Sequence, residues 1–376
     1  MGQLNRIESK QIKWLEPHDL VTLLRFLLYA EAKHRRATVH VPLQIYVPDG
    51  GEDGRWEGEV SPDEFIPDKF TLYQVKAEEL GPSQCADEML AGAHQVKPAI
   101  VEVLASNGCY VFFCGHPYVE SALTRRVNAA RRAILDTGRQ LTRPDQIRFL
   151  DANKIAAWAN RHASAVAYVC ECCQLRQTVS FRTWQDWRRD PIFRLPIPFQ
   201  SDERLNTFSR SLSQHLLVAG NVARVTGLSG LGKTRLVSEA LRPTTDPSDV
   251  NQATLSHSTV YFDMELSPPG VLDTISQLEL GGFTGTVVVD NCPSDQHLKL
   301  AEIIRRDRCK LSLVTLDYVP EPPRSGILHI QLEPEMMLDI VPSILKQLPK
   351  AQYLSVPQLN HIASFAHGFP QIAALI

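Results

Sequence analysis

Nothing in this sequence is long and apolar enough to read as a membrane span. The most hydrophobic stretch near the start, residues 20–30, is short and carries Arg25, so it does not read as a signal-peptide core either. Met1-Gly2 begins like a myristoylation site, but Arg6 stands where Ser or Thr is needed. An excess of positive charge is also missing. Lys and Arg number 39 against 42 Asp and Glu, a net charge of −3, so any nucleic-acid surface has to be local. The 8 cysteines show no disulfide-framework spacing, which fits a reducing compartment, and with no targeting signal the expected location is the cytoplasm. Cys170, Cys172 and Cys173 have no second pair at a matching distance downstream, which reads against zinc. What remains is an ordinary globular composition, 44% hydrophobic over 376 residues. That length suits about two to three domains, and two is the working count.

The most informative stretch is Gly227-Leu228-Ser229-Gly230-Leu231-Gly232-Lys233-Thr234, a complete G-x-x-x-x-G-K-[ST] loop. A strand-like run, Val222 to Thr226, precedes it and a helical pattern from Arg235 follows. Glycines let the backbone curl until its N–H groups face phosphate oxygens, and the helix start adds its positive end. Lys233 is expected to reach the β- and γ-phosphates and Thr234 to offer its hydroxyl to Mg²⁺. Downstream, Thr286-Val287-Val288-Val289-Asp290 reads as a strand ending in a carboxylate for Mg²⁺, and Thr315 fits a position that reads the nucleotide's state. Asn291 stands where many ATPases carry a second acid. An amide is no general base, so slow hydrolysis is expected.

In the N-terminal half, Leu20, Leu23, Leu24, Leu27 and Leu28 define one buried helical stripe, and Glu31 lies on it in the last turns. Two readings stay open: a carboxylate placed for chemistry, or an i,i+4 partner of Arg35. A strand over 39–47, a tight turn through Asp49-Gly50-Gly51-Glu52-Asp53-Gly54 and a strand over 70–77 follow. Gln74 and Lys76 then share a strand face. A turn acid and an amide oxygen suit Mg²⁺, and an ammonium can orient water and offset phosphate charge. Helices are expected over 84–106 and 119–137, strands over 110–114 and 147–151. Arg125, Arg126, Arg131, Arg132, Arg139, Arg143 and Arg148 face only Asp136 and Asp145 in that stretch, which reads either as a DNA-backbone surface or as a solvated helix face. Trp184 and Trp187 read as interdomain packing.

The Gly-Gly-Glu-Asp-Gly turn followed by Gln74-Val75-Lys76 resembles the PD-(D/E)xK superfamily, in the Gln-x-Lys variant of Mrr-like endonucleases. The resemblance implies Asp53 and Gln74 as metal ligands, Lys76 as the catalytic lysine and Glu31 as an auxiliary acid from the preceding helix. The proline-dense run 191–199 reads as a linker, and beyond it strand and helix alternate as in a parallel sheet covered on both faces. The loop, the Val-Val-Val-Asp-Asn strand and His367-Gly368-Phe369-Pro370 together resemble the STAND class of signalling NTPases, which implies Pro370 beside the adenine. Where that class often has an arginine after the sensor threonine, this chain reads Thr315-Leu316-Asp317. Arg305, Arg306 and Arg308 read equally as substitutes for it or as an exposed helix face.

The expected architecture is therefore α/β throughout: a restriction-endonuclease-like domain over 1–195, a linker over 196–203, a three-layer P-loop core over 204–340 and the start of a helical subdomain over 341–376. The implied nucleotide set is Gly227, Gly230, Gly232, Lys233, Thr234, Arg235, Asp290, Thr315 and Pro370, with ATP and Mg²⁺ as cofactors. The two resemblances imply an antiviral effector: an ATP-dependent oligomerisation switch that activates an endonuclease on double-stranded DNA. A phage or other trigger protein would be sensed through a helical-repeat region that this stretch does not contain. Alternatives are an ATP-driven restriction motor, against which Asn291 counts, and a switched scaffold with an inactive nuclease-like domain.

Overall fold

A computed structural model describes residues 6–33, 35–42, 52–60, 65–92, 95–175, 181–190, 193, 198–243, 250–266 and 270–375. Gly50, Gly51, most of the strand expected over 39–47 and most of the proline-dense run lie outside the described residues. The chain forms two compact units, one built from Asn5–Gln177 and the other mainly from Thr178–Thr245 and Asn251–Ile376.

In the first unit β1 (Ala37–His40), β2 (Gly54–Gly58), β3 (Phe70–Lys76), β4 (Cys109–Cys114) and β5 (Ile147–Leu150) form one sheet in that order. β1, β2 and β3 pair antiparallel, and β3, β4 and β5 parallel. β4 is buried at every residue, as a parallel strand covered on both faces must be. Alternation along the strands sorts the core into two layers. Leu72, Tyr110, Phe112 and Phe149 pack with Ile100 and Ile134, whereas Tyr73 and Phe113 turn the other way onto Trp158.

β2 was not expected, because Gly-Arg-Trp-Glu-Gly has no apolar alternation. Its glycines are steric: a Cβ on Gly58 would lie 2.4 Å from Ala37 Cα, and one on Gly54 2.9 Å from Leu24 Cδ2. The single helix expected over 84–106 is two, Pro82–Asp87 and Pro98–Ala105. Pro98 holds Lys97 at ψ 139°, outside the helical region, and so starts the second helix afresh. Asp151 caps the helix Ala152–Ala159, accepting from Lys154 N at 3.1 Å.

The second unit holds β6 (Arg182–Thr183), β7 (Val222–Thr226), β8 (Thr259–Asp263), β9 (Gly285–Asp290), β10 (Leu311–Asp317) and β11 (Leu328–Gln331) in the sheet order β11-β7-β10-β9-β8-β6. β7 to β11 are parallel and β6 is an antiparallel edge. This moves the division between units from the expected residue 196 to about residue 178. Trp184 and Trp187 accordingly pack inside the second unit: Trp187 stacks on Tyr261 with ring centroids 4.4 Å apart, and Trp184 Nε1 donates to Ser238 O at 3.0 Å.

The expected C-terminal helix is broken into Val356–Ala366 and Pro370–Leu375 by His367 and Gly368, at φ 45° and 76°. A Cβ on Gly368 would stand 2.0 Å from Pro334 O. Gly368→Ala should therefore cost about 2–4 kcal/mol, from the left-handed backbone and the overlap together. Urea unfolding measures it; a midpoint equal to the parent's would contradict the steric account.

Candidate functional site

The phosphate-type loop sits between the end of β7 and the helix Lys233–Ala240. Gly227, Gly230 and Gly232 have φ of 140°, 85° and 89°, values that only glycine adopts without strain, and a Cβ on Gly227 would lie 2.4 Å from Leu332 O. Lys233 Nζ donates to Gly227 O at 2.7 Å and Leu228 O at 3.0 Å, so the ammonium is held by the loop's own carbonyls. Burial lowers the Lys233 pKa, while Asp290 and Asp317 pull it back up. Thr234 Oγ1 donates to Asp290 Oδ2 at 3.0 Å, closing the gap between loop and β9. Asp290 is buried, and burial raises its pKa against hydrogen bonds from Asn291 N, Thr234 and Tyr261.

These residues open onto a cavity of about 690 Å³. Its polar wall includes Lys233, Thr234, Asp263, Asp290 and Asp317, and its apolar wall includes Phe199, Leu332, Met337, Ile340 and Pro370. The helix beginning at Pro370 lies on the loop itself: Gln371 N donates to Gly230 O at 3.3 Å. Arg235 also lines the cavity, with Nε bonded to Glu239 at 3.1 Å.

Thr315 is elsewhere. It is fully buried in β10, one pleat below Asp317, accepting from Arg224 NH1 at 3.2 Å and bonded to His297 Nδ1 at 2.8 Å. Arg224, itself buried in β7, pairs with Asp317 at 3.0 Å and with Glu321. Burial, followed by the Arg224 charge, lowers the His297 pKa to about 4. The substitute arginines are also not gathered here. Arg305 binds Gly326 O and Arg306 pairs with Glu279, and both follow the helix Ser294–Ile304 at the end of the sheet where β10 begins, away from the strand ends that carry the loop. Arg308 sits in the same connection, at φ 71°.

In the first unit Asp53 meets β3 at its backbone, beside Gln74 and Lys76. Asp53 Oδ2 accepts from Val75 N at 2.8 Å, and Gln74 and Lys76 flank that residue. A carboxylate that sequence reasoning missed joins them: Glu88, which caps the helix Pro82–Asp87, accepts from Gln74 Nε2 at 2.9 Å, Lys97 Nζ at 2.9 Å and Lys76 Nζ. Burial opposes its charge, but the two ammonium groups carry its pKa below the ordinary range. The Gln74 carbonyl oxygen, expected as a metal ligand, accepts from the Tyr110 hydroxyl.

Glu31 does not join this group. Gln74 and Lys76 lie on the Leu72 face of β3, whereas Glu31 Oε1 accepts from Trp158 Nε1 at 3.0 Å, on the Tyr73 face. His162 Nε2 lies 3.1 Å from the same oxygen, and Arg35 is 3.0 Å from Oε2, the i,i+4 pairing anticipated as the other reading. Of the arginine-rich stretch, Arg126 is buried against Tyr118 and donates to Leu80 O, Arg143 pairs with Asp68, and Arg148 pairs with Asp145. Arg125, Arg132 and Arg139 are exposed.

Fold and loop define a mixed α/β protein of two sheets whose second unit carries a P-loop. No family model matches the chain, and no curated protein matches it. Among solved structures it is similar to a Signal Transduction ATPase with Numerous Domains (STAND) protein with a tetratricopeptide repeat sensor from Pyrococcus horikoshii, at 14% identity and a TM-score of 0.30. The match covers 49% of this chain and 30% of that one, so no residue role is carried across. No helix among the described residues is long and apolar enough to cross a membrane.

Burial opposes the charge of Glu31, but hydrogen bonding from His162, the charges of His162 and Arg35 and the Trp158 bond outweigh it and lower the pKa from 4.5 to about 2. A pKa depressed by folding contributes stability that is complete above about pH 4.5 and lost as pH falls through about 2. At 1.36 kcal/mol per pKa unit this is on the order of 3 kcal/mol. The stability gap between the parent and Glu31→Gln should narrow over that window, read from urea melts at about pH 6 and about pH 2.5. A gap of constant size would show that the network does not act through ionised Glu31.

Proposed function

We propose that the second unit is an ATP-binding switch of the STAND type and that the first is a Mg²⁺-dependent DNA endonuclease under its control. The observation that carries the first part is the Thr234–Asp290 hydrogen bond of 3.0 Å at the wall of a cavity large enough for a nucleotide. A hydroxyl and a carboxylate suit a hard ion that prefers oxygen, so Thr234 and Asp290 would hold Mg²⁺, which would neutralise phosphate charge when bound. Lys233 would exchange its two loop carbonyls for phosphate oxygens. The apolar wall, with Pro370, suits a purine face. Because Gln371 N bonds the loop at Gly230 O, occupancy of the loop bears directly on the helix Pro370–Leu375. A ligand shifts such an element by its differential affinity for the two positions, and oligomerisation is the expected response.

The nuclease part is supported by the antiparallel-then-parallel order of β1 to β5 and by the bond from Val75 N, between Gln74 and Lys76 on β3, to the Asp53 carboxylate. Asp53 fits a Mg²⁺ ligand. Lys76 would offset phosphodiester charge once released from Glu88, and Arg125, Arg132 and Arg139 would meet the duplex backbone. Defence against phage, with a trigger protein sensed by a further region, completes this reading. One observation favours the rival, a switched scaffold with an inactive first unit: Lys76 is tied to Glu88, and the Gln74 oxygen to Tyr110.

Fluorescent ATP-analogue binding tests the switch. Lys233→Ala should weaken it by about 10- to 100-fold, the loss of one or two charge-assisted hydrogen bonds. Unchanged affinity would overturn the site. Supercoiled plasmid with Mg²⁺ and ATP tests the nuclease: nicking by the parent, abolished in Lys76→Ala, is expected. Nucleotide binding without nicking would favour the scaffold.

A further inference from the structure

The acid missing after Asp290 has a counterpart on the neighbouring strand. Asp263 ends β8 directly in register with Asp290 at the end of β9, and its side chain lines the nucleotide cavity with Lys233 and Thr234. Asn291, held in the left-handed region at φ 52°, turns its amide across the ladder, and Nδ2 donates to Asp263 Oδ1 at 3.0 Å. Glu265 N donates to the same oxygen at 2.9 Å. Two donors on one oxygen fix the plane of the carboxylate. Oδ2 has no hydrogen-bond or ion-pair partner among the described residues.

The other carboxylates of the cavity are committed. Asp290 takes Thr234 and Tyr261 on Oδ2 and Asn291 N on Oδ1. Asp317 takes Arg224 on Oδ2 and Tyr318 N on Oδ1, and Asp190 is paired with Arg182. Glu265 is exposed, and its carboxylate has no orienting partner among the described residues.

We propose that Asp263 is the general base for nucleoside-triphosphate hydrolysis in this cavity and that Asn291 is its positioning residue. This rests on the nucleotide site proposed above. Asp263 Oδ2 removes a proton from water as the water oxygen bonds to the γ-phosphorus. The bond from that phosphorus to the β–γ bridging oxygen breaks, its electron pair leaving on the nucleoside diphosphate. The proton then passes to solvent and inorganic phosphate departs. The base is thus carried by β8, and the amide after Asp290 orients it instead of replacing it.

The test is phosphate release from ATP by the full chain, run beside fluorescent ATP-analogue binding. Asp263→Asn, nearly isosteric, should lower kcat by at least about 100-fold, the usual range for a lost general base, with analogue affinity within about threefold of the parent. Asn291→Ala should lower kcat by about tenfold at unchanged affinity, a split that simple loss of fold would not give. Turnover by Asp263→Asn within about threefold of the parent, or a loss that appears instead in Glu265→Gln, overturns the assignment. A parent that binds the analogue and releases no phosphate overturns it too, while leaving the switch intact. A parent that binds no analogue overturns the nucleotide site and this assignment together.

Discussion

A carboxylate is buried at the end of β9, and much of the second unit is arranged around it. Desolvation pushes the Asp290 pKa up. The donors that oppose it come from three places: the helix after the loop through Thr234, β8 through Tyr261, and the next residue's own N–H. Each donor is fixed in turn. Thr234 is set by the left-handed Gly232 that opens its helix, and Tyr261 by the stack on Trp187. Asn291 is set by a backbone conformation that turns its amide onto Asp263. A single buried carboxylate therefore links loop, sheet and edge strand.

The phosphate loop was legible in the sequence because its requirements are local: left-handed glycines, a lysine and a hydroxyl at fixed offsets, with strand before and helix after. Asp290 was legible for the same reason. Gln74 and Lys76 were legible as neighbours because strand alternation fixes which side chains share a face, whereas Asp53, in a turn, came only from the turn pattern and the resemblance it carries. Glu31 was not, because periodicity shows that a helix has a buried stripe without showing which face of the sheet it covers. Thr315 lies one pleat below Asp317, the β10 residue that lines the cavity, a difference that strand pattern alone does not show. Glu88 and Asp263 carried no local signal at all. A lone Glu at a helix end and a lone Asp at a strand end become significant only through partners 12 and 28 residues away.

The arginines show the same limit in terms of charge. Counting them along the chain treated each as a free cation. In the folded unit, Arg126 is a buried prop for Leu80 O, while Arg143 and Arg148 are neutralised by Asp68 and Asp145. The reverse holds for Arg224. It stands within an apolar strand run and is the hub of a buried network with Asp317, Glu321, Thr315 and the Cys292 carbonyl. Strand periodicity offers no reason to single it out, since its partners come from elements later in the chain.

The edge strand β6 bears on how such a module could be inherited. Proline-dense stretches are natural joints for recombination, and a cut at 196 would look harmless in a sequence. It would leave behind Trp187, whose ring stacks on Tyr261, and Arg182, which lies over the same ring at 5.1 Å. It would also bare the edge of β8, the strand that carries Asp263. A piece that keeps Tyr261 and Asp290 supported therefore begins before Arg182, upstream of the proline run.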